Sequence, residues 1–516
     1  MVTAGRRPSH PCGGAAATGA GRDAESGPGG AAAPGWRRLG AAVANPALVA
    51  VVLALAIGVA IAVLTPPETG ADERDHFTRA YQISRGDLLT HRQGTAFGAY
   101  LPASFAAEEA RLAALAYSSP DRTAFVADLG QAAPHGPAVF VSTGNAASYG
   151  PGAYAPYVAA LVVGRLMRVS TLGLLYLARL AGVVSYALIL GLAVTRIPVH
   201  KWMLAGVGLL PSAVNQASTV SADGMTMVLS FLVVADALRL GAGIGRKRPV
   251  LVETALAAAV LALAKPPYVL LLATLAVPAW RFRGRLAGAV WAVWAGAAAL
   301  AVLWGAYQLG HAPSQANPKA WLYVAPHSYA FHGIRTTAQT VYVLTHPWSF
   351  LAAVGRTFVS FGSAFPKQLF GMLALYQMPW SLVALAAVGL VVACVAPSPS
   401  APPRRLGRAD RVAAAVVALV VALGVFAIAY ANWNQYRAPR IDAVNTRYLL
   451  PLLPALLVGV LPDQGRPRRR RLAWKGWRPL FVALAVTAGA GAVIGVAHYH
   501  YSHPTLAATP TQAAGG

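Results

Sequence analysis

The chain has 516 residues, of which 56% are hydrophobic and only 11% charged, and its mean hydropathy is +0.52. Soluble domains carry about 25% charged residues, so this balance excludes an ordinary soluble protein and points to a polytopic membrane protein. A formal net charge of +25 does not indicate nucleic acid as a partner, because most basic residues sit in short clusters between apolar runs.

Residues 1–43 are rich in Gly, Ala and Pro without apolar periodicity and read as a disordered tail. Arg6 and Arg7 form a twin-arginine pair, but the apolar run lies too far downstream for an export signal. That run, Ala41 to Leu64, is too long for a signal-peptide core and long enough to span a bilayer, so it is expected to stay as an anchor. Cys12 in the tail and Cys394 in a later apolar run imply neither a disulfide framework nor a cysteine metal site.

Apolar spans are expected near 44–64, 171–195, 202–219, 224–240, 250–264, 267–280, 286–309, 372–396, 412–431, 448–461 and 479–497. Basic clusters separate them at Arg196 to Lys201, Arg239 to Arg248, Arg281 to Arg285, Arg404 to Arg411 and Arg466 to Arg478. The positive-inside rule assigns these clusters, including the run Arg468 to Arg471, to the cytoplasm. With the N-terminus inside, the first span then delivers 65–170 to the outer face. The apolar stretch 153–167 is short, contains Pro156 and ends in Arg165 and Arg168, so it is expected to lie at the outer interface. Parity then gives an all-α protein of eleven spans within 44–497, with outer loops 65–170 and 310–371 and an outer tail 498–516. The stretch PWSFLAAVGRTFVSF (347–361) suggests a second interfacial helix.

The scarce acid is concentrated at one place. PPETGADERDHFTRAYQ, residues 66–82, holds four of the chain's 17 acidic residues just beyond the first span. On a helix, Glu73, His76, Phe77 and Tyr81 share one row, and Asp72, Asp75 and Arg79 another. Acids at a helix start also suit its dipole, so the pattern alone admits a structural role. Asp72, Glu73 and His76 could alternatively hold a divalent ion such as Mg or Mn, although the order is not that of a zinc protease.

Charge recurs inside or at the ends of later spans, at Arg179, Asp223 and Lys265. These residues admit either an internal ion pair, such as Asp223 with Lys265 or Arg179, or a cation pocket for a lipid-linked phosphate. The outer stretch NWNQYRAPRIDAVNTRY (432–448) carries Arg437, Arg440 and Arg447 against the positive-inside trend. It suits either lipid headgroups or a phosphate or sugar.

Taken together, Pro66, Pro67, Asp72, Glu73, His76, Phe77, Arg79, Ala80, Tyr81 and Gln82 form an ordered motif. With it go Gln216, Ser221-Ala222-Asp223-Gly224, Lys265-Pro266 with Tyr268, and Arg447-Tyr448. The set resembles a bacterial domain-of-unknown-function family of predicted polytopic membrane proteins related to GT-C glycosyltransferases. Ala71 and Thr446 depart from the pattern, standing where proline and glycine are frequent.

The resemblance implies a GT-C-like fold in the bacterial plasma membrane and sugar transfer from a polyprenyl-phosphate donor to a cell-envelope glycan or lipid. It makes Asp72 or Glu73 the catalytic base, with His76, Arg79, Tyr81, Arg179, Asp223, Lys265, Arg447 and Tyr448 around the substrate. In chemical terms, a sugar hydroxyl gains from a carboxylate base, and a leaving phosphate needs cations. The alternatives are a transporter or flippase of a lipid-linked glycan, or an envelope polysaccharide polymerase or ligase. No internal repeat favours a transporter of duplicated halves.

Overall fold

The computed structural model describes residues 45–502 apart from 119–121, 282–283, 312–327, 332, 397–405, 443 and 463–475. The expected tail 1–43, residues 503–516 of the expected outer tail and the run Arg468 to Arg471 lie outside the described residues; residues 498–501 of the outer tail instead continue the helix Trp477–Tyr501.

Among the described residues, six helices are long and apolar enough to cross a membrane: Pro46–Leu64, Thr171–Arg196, Ala222–Gly241, Leu286–Tyr307, Arg408–Trp433 and Trp477–Tyr501. Each coincides with one of the eleven expected stretches. The other five are shorter or interrupted, and proline explains most of the interruptions. The stretch 202–219 divides into Lys201–Gly208 and Pro211–Ser218, because Pro211 has no N–H to continue the ladder. Residues 267–280 wind as an unusually long 3-10 helix, Pro266–Leu275, before a short turn of α-helix. Residues 448–461 repeat that pattern, with 3-10 helix Thr446–Leu452 leading into Leu453–Val460. The stretch 372–396 opens with a two-stranded hairpin before the 16-residue helix Trp380–Val395. Lys247–Ala264 is unbroken but brings charged Lys247, Arg248 and Glu253 into its first half.

Between the first two long helices the chain builds a cap. Ala155–Leu166, at 12 residues, is about 18 Å long and falls short of the ~30 Å hydrocarbon core. Leu166 and Met167 at its end are 80% and 70% exposed. The all-α expectation missed a small antiparallel sheet, His91–Gln93, Ala96–Pro102 and Ala138–Ser142, in that order. On its middle strand Phe97, Ala99 and Leu101 are buried on one face, and Tyr100 is exposed on the other. The buried side shares a core with Phe77, Tyr81 and Phe105.

One buried pair ties the cap to the spans. Pro66 and Pro67 end the first helix, leaving its last carbonyls without helical partners. Arg179, nine residues into Thr171–Arg196, supplies the missing donors: Nη1 to the Ala62 and Thr65 carbonyls at 2.8 and 2.6 Å, and Nη2 to Pro66 at 2.9 Å. Its Nε donates to Glu73 Oε1 at 2.7 Å, and both side chains are fully buried. Glu73 in turn accepts the N–H of Val220 at 2.9 Å and of Gly70 at 3.3 Å. Gly70 has to be glycine, since a Cβ there would sit 2.7 Å from the Thr219 side chain.

Removing one partner of such a pair strands the other charge in a dry interior, at a cost of about 3–5 kcal/mol. Arg179→Ala and Glu73→Ala are each expected to lower the thermal unfolding midpoint sharply. Arg179→Lys should not rescue it, because one ammonium cannot reach three carbonyls and a carboxylate. Thermal scans of the detergent-purified variants check this, and an Arg179→Lys midpoint equal to wild type would refute it.

Candidate active site

The turn between Pro67 and Glu73 is tight. Glu68 and Asp72 both adopt the left-handed backbone region, at φ 61° and 58°. An aspartate tolerates that conformation better than most residues. It places Asp72 just ahead of helix Glu73–Ser84 with a half-exposed carboxylate, while Glu73 turns inward.

Three chain-distant residues gather at Asp72. Arg447, at the start of the 3-10 helix Thr446–Leu452, donates from Nη2 to Asp72 Oδ2 at 2.9 Å. Its Nε lies 3.1 Å from Oδ2 of Asp223. Asp223 contacts Lys265 through its other oxygen. Lys265 stands at the break where Lys247–Ala264 gives way to the 3-10 helix, and Arg447 at the equivalent start of the later one. At both breaks the irregular backbone delivers a cation. Asp223 comes from the first turn of Ala222–Gly241, whose N-terminal end favours an anion. The four side chains form an alternating row, acid, base, acid, base.

Lys265 faces a cleft of about 610 Å³. Its lining mixes polar and aromatic side chains, Ser148, Tyr149, Tyr448, Asn432 and Trp433, with apolar ones, Leu270, Val425, Ile428 and Ala429. The Lys265 ammonium lies 4.5 Å from the Tyr448 ring centre and 5.5 Å from that of Tyr149, cation–π distances. The Tyr268 hydroxyl donates to the Tyr448 carbonyl at 2.6 Å and ties the two 3-10 segments together.

The structure therefore brings together Asp72, Asp223, Lys265, Arg447 and Tyr448 from the expected set. It sends others elsewhere. Glu73 and Arg179 are committed to each other and to backbone, so neither is presented to a substrate. Arg79 does not group with Asp72, because Asp72 precedes the helix; it is buried and donates to Gln82 and the Leu88 carbonyl, both at 2.7 Å. Tyr81 stacks on Phe105 at 4.2 Å within the cap core. His76 is buried behind the site with Nδ1 2.6 Å from the Tyr154 hydroxyl, and burial pushes its imidazole down to about 4, leaving it neutral. Arg437 packs on Tyr342 and Tyr436, and Arg440 pairs with Asp442. Asp72, Glu73 and His76 do not converge as a divalent-ion set, because Glu73 turns to Arg179 and His76 to Tyr154. Among the described residues, no three His, Cys, Asp or Glu side chains form a metal-holding group.

A family model described as "Predicted membrane protein (DUF2142)" matches residues 55–456. The chain belongs to the DUF2142 family. The matched region contains the whole cluster from Asp72 to Arg447. No curated protein and no solved structure matches the chain.

The reading by motif overlooked parts of this DUF2142 site. Tyr149 lies in a loop with no periodic signal. Glu109, on the cap helix Ala103–Ser118, gave no sign of its partner Glu68. Both carboxylates are buried, and Arg74 Nε lies between them at 3.5 Å from Glu109 and 3.9 Å from Glu68. Thr78 donates to Glu109. Burial and their mutual repulsion raise the pKa of Glu68; for Glu109 burial is the main cause, opposed by Thr78 and Arg74.

This pair sets a pH dependence. An acid whose pKa is raised by folding holds its proton longer in the folded state than in the unfolded one. Above about 4.5, the ordinary glutamate value here, the folded pair therefore holds more protons than the unfolded one, and its contribution to stability falls as pH rises, while buried His76 contributes in the opposite sense. Arg74, Asp75, Glu73 and Arg179 are the other charged groups facing the pair. Between pH 5 and pH 8 the unfolding midpoint of the wild type is expected to fall relative to that of Glu109→Gln, and an identical pH slope in the two proteins would contradict the assignment.

Proposed function

We propose that the protein is an integral-membrane glycosyltransferase. It moves a sugar from a polyprenyl-phosphate-type donor to a cell-envelope glycan or lipid at the outer face of a bacterial plasma membrane. On this reading the chain crosses eleven times, with its N-terminus in the cytoplasm, and the interrupted segments complete the crossings that the six long helices leave open.

The observation that carries the reading is Asp72. Its side chain is 49% exposed, whereas those of Arg447, Asp223 and Lys265 are each 12% exposed. A carboxylate held by an arginine, with one face open, suits proton abstraction from an acceptor hydroxyl. The hydroxyl oxygen attacks the anomeric carbon, Asp72 takes the proton, and the bond from sugar to phosphate breaks. The departing phosphate leaves as an anion and needs no proton; Lys265 and Arg447 stabilise its charge. The cleft lining suits an amphipathic donor, with aromatic rings and an amide for a sugar and apolar side chains for an isoprenoid chain.

Asp72→Asn keeps the side-chain shape and one accepting oxygen but removes basicity. It is expected to lower turnover of a lipid-linked donor by roughly 10²–10⁴-fold, with an unchanged elution profile. A variant that retains full activity would remove Asp72 as base. The second reading, a transporter of a lipid-linked glycan, draws support from the interrupted helices at Lys265 and Arg447, a feature of transporter binding sites. Full transport in a reconstituted Asp72→Asn protein would favour it.

Topology has its own check, in a chain whose Cys12 and Cys394 are changed to serine. Cysteine at Ser142 is expected to react with an impermeant reagent from outside, and cysteine at Gly245 is not. Outside labelling of Gly245 would overturn the orientation.

A further inference from the structure

The four charges at the site cancel. Lys265 and Arg447 face two carboxylates, so the cluster is formally neutral, and a neutral cluster offers a phosphate no net attraction. Asp223 sits between both cations, with Oδ1 on Lys265 and Oδ2 3.1 Å from Arg447 Nε. The second contact is poorly made. Arg447 Nε is buried and near the carboxylate, yet its N–H finds no hydrogen-bond acceptor. A buried donor left unsatisfied is costly, and a guanidinium so placed suits an anion with more widely spread oxygens.

Asp223 also lies where an exogenous anion would settle. It occupies the first turn of a 20-residue helix, where backbone N–H groups and the dipole favour negative charge. Its own N–H is already bonded to Ser221 Oγ at 3.0 Å, so the helix start keeps its cap whether or not the carboxylate stays. The cleft opens directly beside Lys265.

We propose that Asp223 is a place-holding anion, seated between Lys265 and Arg447 where a substrate phosphate binds, and displaced when that phosphate arrives. The assignment deepens the glycosyltransferase reading and rests on it only for the source of the phosphate. The ligand chemistry is a phosphate ester or free phosphate. In the absence of ligand, Asp223 neutralises Lys265 and shares Arg447 with Asp72. In its presence, the carboxylate competes, and the apparent affinity is reduced by the fraction of molecules in which Asp223 has withdrawn.

The test is binding to the purified full-length protein in detergent, so it does not depend on any transferase activity. The probes are farnesyl phosphate, inorganic phosphate and neutral farnesol, titrated by calorimetry. Asp223→Asn removes the competing charge and is expected to bind the anionic probe about 10-fold more tightly or better, with farnesol unchanged. Asp223→Glu keeps the charge and should stay near wild type. A gain confined to farnesyl phosphate assigns the seat to a lipid-linked phosphate, and an equal gain for inorganic phosphate assigns it to the free ion. Unchanged or weaker anion binding in a folded Asp223→Asn protein overturns the proposal, as does failure of both proteins to bind any anion.

A second measurement covers the case in which Asp223→Asn does not fold. In the wild type, saturating farnesyl phosphate should raise carbodiimide labelling of Asp223 severalfold, read by peptide mass, while Asp236, fully buried further along the same helix, stays unlabelled. Constant Asp223 labelling at saturation overturns the displacement. Activity that survives in Asp72→Asn would instead strike the transferase reading and leave the anion seat intact.

Discussion

The buried pair of Arg179 and Glu73 is the constraint on which the site depends. A guanidinium takes over the open carbonyls at the end of the first long helix and holds the first residue of the following helix. It thereby fixes both ends of the turn from Thr65 to Asp72. With those ends fixed and Gly70 pressed against Thr219, Asp72 is left facing outward in a left-handed conformation. Strain of this kind persists only where the surroundings overdetermine it. Two adjacent acids thus part company: one is consumed in holding the backbone, and the other is presented.

Proline supplies the complementary half. Pro211, Pro266, Pro267 and Pro451 interrupt segments whose apolar content alone suits unbroken spans. The interruptions near Lys265 and Arg447 put cations at the level of the Asp72 turn, where regular helices would have carried their side chains around the bundle. The same breaks explain why three of the eleven apolar stretches do not appear as single long helices.

Much of this was legible in the residues. Hydropathy located all six long helices, because bilayer thickness sets a length that the chain must meet. The motif from Pro66 to Gln82 and the isolated charges at Asp223, Lys265 and Arg447 marked the site, since charge in so apolar a chain rarely lacks a partner. The pairing of Asp223 with Lys265 was among the readings the sequence offered; the other partnerships could not be read. Helical spacing put Arg79 beside Asp72, but the helix begins one residue later, at Glu73, and the arginine that meets Asp72 lies 375 residues away. Nor does periodicity tell that Glu73 meets Arg179 while Asp72 does not. Glu109 was hidden for the same reason, its partner Glu68 being distant in the chain and the contact purely tertiary. The small cap sheet escaped because its strands are short and its middle one contains Gly98.

The sequence separations also impose an order on assembly at the ribosome. Chains fold broadly from the N-terminus as they are made. Arg179 and Glu73 are 106 residues apart, and Lys265 and Asp223 only 42, so both pairs can close while much of the chain is still unmade. Arg447 arrives last. Until it does, Asp72 stands on a finished turn with no cation to aim it, and Tyr448 has yet to complete the cleft wall. A chain cut short by stalled synthesis before residue 447 therefore carries the Asp72 carboxylate without its arginine, and the charge cluster is complete only once synthesis has passed Arg447.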